Sequence, residues 1–70
     1  MLTFIKLTGI KGENVLINTD EILSIREVTY KYDSTSSKID FFNGYSIEVR
    51  EPINKIEKLL TEMHTVLRAK

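Results

Sequence analysis

Apolar and polar residues alternate along most of the chain up to Val49, and the spacing then becomes helical. Thr3–Thr8 (TFIKLT) reads as a strand, with Ile5 and Leu7 on one face and Phe4 and Lys6 on the other. Gly9-Ile10-Lys11-Gly12 is a turn in which both glycines are free to take positive φ. Asn14–Asn18 (NVLIN) returns as a second strand, with Val15 and Ile17 opposite Leu16, and pairs with the first as a hairpin. Asn18-Thr19-Asp20-Glu21 is a tight connection of about one helical turn, because Asn and Asp bond to nearby backbone.

Ile22–Tyr30 (ILSIREVTY) is the third strand. Ile22 and Ile25 lie three apart, as at a turn entering a strand. From there Leu23, Ile25 and Glu27 share one face, and Ser24, Arg26, Val28 and Tyr30 the other. Tyr32–Ser36 is polar and reads as a loop. Ser37–Phe42 (SKIDFF) is the fourth strand, with Ile39 and Phe41 inward and Asp40 outward. Asn43-Gly44 between two alternating runs predicts a two-residue type I′ hairpin turn. Tyr45–Val49 (YSIEV) is the fifth strand, with Tyr45, Ile47 and Val49 opposite Ser46 and Glu48.

Pro52 opens a helix running to about Arg68, placed at the first helical position with Glu51 as N-cap. Ile53, Ile56, Leu59, Leu60, Met63, Val66 and Leu67 form one broad apolar stripe. Burying such a stripe gains roughly 1.5–3 kcal/mol per side chain. Ordering the residues costs about 1.5 kcal/mol each. The helix is therefore expected to depend on docking against the sheet. The pattern predicts one small α+β domain spanning residues 1–70: an antiparallel meander of about five strands within residues 3–50, and one helix at about 52–68 on one face.

One face then receives the helix, and Phe4, Leu16, Val28, Tyr30 and Phe42 remain for the other. Either the sheet curls over part of itself, or this second face is a subunit interface. The Tyr30–Ser36 loop is a further candidate contact surface. Size favours association. At 70 residues the core is small, and small domains usually add a disulfide, a metal or a second subunit. The chain has no cysteine and a single histidine, His64. A homo-oligomer is the remaining expectation.

Composition narrows the chemistry. Ten Lys+Arg balance ten Asp+Glu, which removes the electrostatic footprint of a nucleic-acid binder. Residues 52–70 carry four basic and two acidic side chains, a mild excess. Lys6, Arg26 and Lys38 with Phe4, Tyr30 and Phe42 could form an aromatic–basic face of the kind that stacks bases; internal or intersubunit packing of these aromatics is the stronger expectation. Apolar runs are too short to span a membrane, and Lys6 and Lys11 interrupt any secretory h-region. No catalytic, cofactor-binding or metal-ligating set emerges. His64 sits one position off the apolar stripe and reads as solvent-facing. Asp20-Glu21 reads as turn chemistry, and Glu48 and Glu51 as surface carboxylates. GxxxxGK[ST], GxGxxG and HExxH are absent. The expectation is a non-enzymatic interaction module without cofactors.

Ile5-Lys6-Leu7-Thr8, Gly12-Glu13-Asn14, Leu16-Ile17-Asn18 with Asp20 and Ile22, and Ile25-Arg26-Glu27 together resemble the FlbD family of small bacterial flagellar-operon proteins, also called SwrD. Asn43-Gly44, Ile47, Val49 and Glu51 fit that family's later strand, and Ile53 and Ile56 its helix. The loop at Tyr30–Ser37 and the helix are longer here. The resemblance, over about residues 4–60, implies a cytoplasmic accessory protein of flagellar function without enzymatic activity. Asp20–Glu27 and Ile39–Gly44, followed by the helix, are also similar to the first half of LytTR-type DNA-binding domains. That likeness implies a nucleic-acid-binding or transcription-accessory alternative, possible for a phage or mobile-element protein. The DNA-contacting later strands of that domain have no counterpart here.

Overall fold

The computed structural model describes residues 3–30 and 34–63. Its elements are β1 (Phe4–Thr8), β2 (Asn14–Asn18), a 3-10 turn (Thr19–Glu21), β3 (Ile22–Thr29), β4 (Thr35–Phe41), β5 (Ser46–Val49) and α1 (Ile53–Met63). The α+β expectation holds: five antiparallel strands precede one helix. They divide, however, into a β1-β2 hairpin and a three-stranded β3-β4-β5 sheet, neither of them closed.

The division falls at the 3-10 turn. Asn18 caps it by accepting the Asp20 N–H at 3.0 Å. The Thr19 N–H and hydroxyl both donate to the Thr3 carbonyl, at 2.9 and 3.1 Å. The turn is thus tied back to the start of β1, and β3 leaves the hairpin without pairing to β2. The two sheets meet instead where β1 ends and β5 ends. Gly9 bridges Val49, and the Arg50 N–H donates to the Thr8 carbonyl at 2.7 Å.

The β1–β2 and β4–β5 hairpins use the same loop. The Gly9 N–H donates to the Glu13 carbonyl and Gly12 closes on Gly9; likewise the Phe41 N–H donates to Tyr45 and Gly44 closes on Phe41. Each loop therefore holds three residues, with glycine last at φ +90° or +93°. This corrects the two-residue I′ turn expected at Asn43-Gly44: Asn43 stands in the middle and its Oδ1 accepts the Tyr45 N–H. Gly9, equally free to take positive φ, keeps an ordinary backbone and serves in the bridge between sheets.

Ile5, Leu7, Ile17, Ile39, Val49 and Ile56 form the buried core, drawn from both sheets and the helix. A register irregularity between Ile22 and Ser24 explains why Ile22 and Ile25 both turn inward although three apart. Leu23 is the displaced residue. It is exposed rather than sharing the Ile25 face. Tyr45, expected beside Ile47 and Val49, is exposed at the loop and precedes β5.

Two further expectations need correction. Thr35 and Ser36, read as loop, begin β4, and Ser36 and Ser37 are buried. Their hydroxyls are satisfied at long range, Ser36 by Glu48 and Ser37 by the Glu51 carbonyl. Pro52 takes the cap position rather than the first helical one, since its carbonyl accepts the Ile56 N–H at 3.2 Å and the helix begins at Ile53. Glu51 does not cap α1. The expected helical residues His64, Val66, Leu67 and Arg68 lie outside the described residues, as do Tyr32 and Asp33 of the expected loop.

Candidate functional site

The five residues expected on one apolar face occupy three places. Phe4 and Leu16 stand on the outer face of the β1-β2 hairpin, where Phe4 pairs with Asn18 and Leu16 with Lys6. They are diagonal neighbours, 51% and 67% exposed. Val28 and Tyr30 belong to the outer side of β3, where Val28 is only half-buried. Phe42 opens the β4–β5 loop, 66% exposed. Ile10, the matching first residue of the other loop, is exposed too, as are Leu23 and Tyr45, which alternation alone places on inward faces.

The outer face of β3-β4-β5 is polar. Asp40 accepts from the Ser24 hydroxyl at 3.0 Å and from Arg26 Nε and Nη2 at 3.1 and 3.3 Å. Glu48 accepts from the Ser36 and Tyr30 hydroxyls. Donation by Ser36, then by Tyr30, holds the Glu48 carboxyl below the usual carboxylate range, with help from Lys38. The same bond to Glu48 raises the Tyr30 phenol, because ionisation would set two anions against each other. Arg26, Lys38 and Tyr30 thus have anionic neighbours on their own sheet, apart from Lys6 and Phe4 on the β1-β2 hairpin.

A second polar cluster joins the sheets. The Thr8 N–H donates to Glu51 Oε1 at 2.9 Å, and the Ser37 hydroxyl to the Glu51 carbonyl at 2.7 Å. Arg50 donates through Nε and Nη2 to the Ile10 carbonyl at 3.2 and 2.9 Å. Burial pushes the Glu51 carboxyl up, but the Thr8 N–H and nearby Lys55 outweigh it and leave the group lowered. Glu51 is therefore a latch between elements far apart in the chain, a role its position beside Pro52 did not announce.

The third feature is an open groove of about 600 Å³ between β3 and α1, with Ile22, Ile25, Ile53 and Leu60 as its apolar walls and Glu57 on its rim. Among the described residues no group of three His, Cys, Asp or Glu side chains could hold a metal ion. No described helix is long and apolar enough to cross a membrane. No protein-family model, curated protein or solved structure matches the chain.

Proposed function

We propose that this chain is a non-enzymatic accessory protein that acts through protein–protein contact and associates with itself. The observation that carries the reading is the balance of apolar residues. Six buried side chains make the core, whereas seven large apolar ones stand about half or more exposed among the described residues. Exposed apolar side chains are ordinary singly, but neighbouring ones mark interaction surfaces. Phe4 and Leu16 make the best-defined pair, since the hairpin register sets them side by side on a face turned away from the core.

The resemblance to the FlbD family supports a cytoplasmic role alongside flagellar function. The nucleic-acid alternative has less support, because Arg26 is committed to Asp40 and the Tyr30 hydroxyl to Glu48. Light scattering on the eluting peak tests the proposal. The expected mass at high micromolar concentration exceeds the 8.1 kDa of one chain. Leu16→Glu should restore the single-chain mass if the hairpin face is the interface, and Phe42→Glu should do so if the loop is. A monomer under all these conditions would refute self-association.

A further inference from the structure

We propose that the free edge of β3 and the groove beside it dock an extended, cationic peptide segment by strand addition. This site is distinct from the hairpin face and does not rest on self-association.

The edge follows from the ladder. The Tyr30 N–H donates to the Ser34 carbonyl at 2.7 Å, continuing the β3–β4 register. In an antiparallel pair alternate residues exchange hydrogen bonds with the neighbour and the rest point away. Ser24, Arg26 and Val28 therefore face β4, whereas the N–H and C=O groups of Ile25, Glu27 and Thr29 point outward. β3 is the terminal strand of its sheet and, at eight residues, its longest. A row of outward backbone groups is a template for an added strand. Among the described residues β2 also offers a free side, but the apolar groove lies beside the β3 edge.

The groove supplies side-chain recognition. An added strand would send alternate side chains toward α1, between Ile25 on the sheet and Ile53 and Leu60 on the helix. Charge selects the occupant. Glu57 lies on the rim, and Glu27 shares the sheet face of Ile25 and is exposed. Nearby Arg26 is on the other face, bound to Asp40. Lys55 and Lys58 border a different depression of the helix, with Leu59. Among the described residues lining the groove Glu57 is the charged one, and Glu27 follows Ile25 on the same sheet face just beyond it. A second copy of β3 centred on the edge would bring Glu27 against or near its own image, which is unfavourable; a strand bearing Lys or Arg at its ends would not meet this repulsion. Glu27 blocks self-addition and admits a cationic partner.

The test is a titration of the isotopically labelled full chain with a short peptide alternating valine and threonine, with lysine at both ends. Backbone amide exchange is read residue by residue. The expected result is slower exchange at Ile25, Glu27 and Thr29 with no change at Phe4 or Leu16. A peptide ending in glutamate should bind about two- to fivefold more weakly, the scale of a solvent-exposed ion pair. Glu57→Lys, at an exposed helix position, should reverse that order. Unchanged edge amides with both peptides, equal affinity for the two, or protection appearing on the hairpin face instead would overturn the proposal. Light scattering in the same buffer reports self-association separately, so failure of one reading leaves the other standing.

Discussion

Replacing Glu51 by Gln removes one charge from the joint between the two sheets while keeping the side chain's size. The carboxylate accepts the Thr8 N–H at 2.9 Å across a separation of 43 residues. A hydrogen bond to a charged group contributes about 1.5–3 kcal/mol. The group is only partly buried, so solvent screening brings the expectation to about 1 kcal/mol. For a domain of this size that is a fall of about 4–8 °C in Tm. The pH dependence provides the sharper test. The folded carboxyl sits below its unfolded value. Its contribution is therefore complete above that unfolded value and is lost as pH falls through the lower folded one. Urea unfolding of both proteins from neutral pH down to about 3 should show a gap that is constant above about pH 5 and narrows toward zero in acid. Using the difference between the proteins removes the parallel contribution of Glu48. Equal stability at neutral pH, or a gap that does not shrink in acid, would show that Glu51 is not a charged latch.

Gly44 and Gly9 should respond to alanine for opposite reasons. At Gly44 a Cβ meets no atom within 4 Å, but φ is +93°, so Gly44→Ala should cost about 1–2 kcal/mol in thermal unfolding. At Gly9 the backbone is ordinary and the added methyl meets the Glu13 carboxylate, which can swing away at the expense of its exposed bond from the Lys11 N–H; the loss should be smaller. Tyr30 should ionise above the usual tyrosine range when followed by ultraviolet absorbance at high pH, and Glu48→Gln should bring it down. An unmoved Tyr30 titration in that variant would remove the Glu48 bond as the cause.

The core was legible from period alone. Ile5 and Leu7, Ile17, Ile39, Val49 and Ile56 each fall on an inward position of an alternating or helical run, and all six are buried. Local spacing carries this information because a strand or helix presents its faces regardless of what it packs against. The turn at Thr19–Glu21 was legible for the same local reason, through the Asn18 cap. What failed was non-local. Thr35 and Ser36 look like loop residues because small hydroxyls compete with backbone ladders; Ser36 is instead satisfied by Glu48, twelve positions on. The arrangement of the two sheets depends on the Thr3–Thr19 bond that turns the chain away from the hairpin and the Thr8–Arg50 bond that rejoins it, which no pattern along the chain encodes. Leu23 left its expected face because a single displaced residue breaks alternation, and alternation was the signal being read.

Net charge hid the arrangement most relevant to binding. A total of zero suggests a surface without direction, yet the charges are sorted by face. On the outer side of β3-β4-β5, Arg26 lies against Asp40, and Lys38 and the hydroxyls of Ser36 and Tyr30 surround Glu48. Of these cations Arg26 is ion-paired within the sheet. On the opposite side Glu57 lines the β3–α1 groove and Glu27 lies on the sheet face of Ile25, while the helix lysines Lys55 and Lys58 border the other depression. Attraction between exposed charges weakens beyond about 8 Å at physiological salt. The local pairing, not the total, therefore sets what each surface attracts. By that measure Arg26 on the outer face is engaged by Asp40, and the groove keeps the Glu57 carboxylate for a cation. The alternation that makes β3 a strand also separates Arg26 from Glu27, one to each side of the sheet, and so gives a neutral chain two electrically different faces.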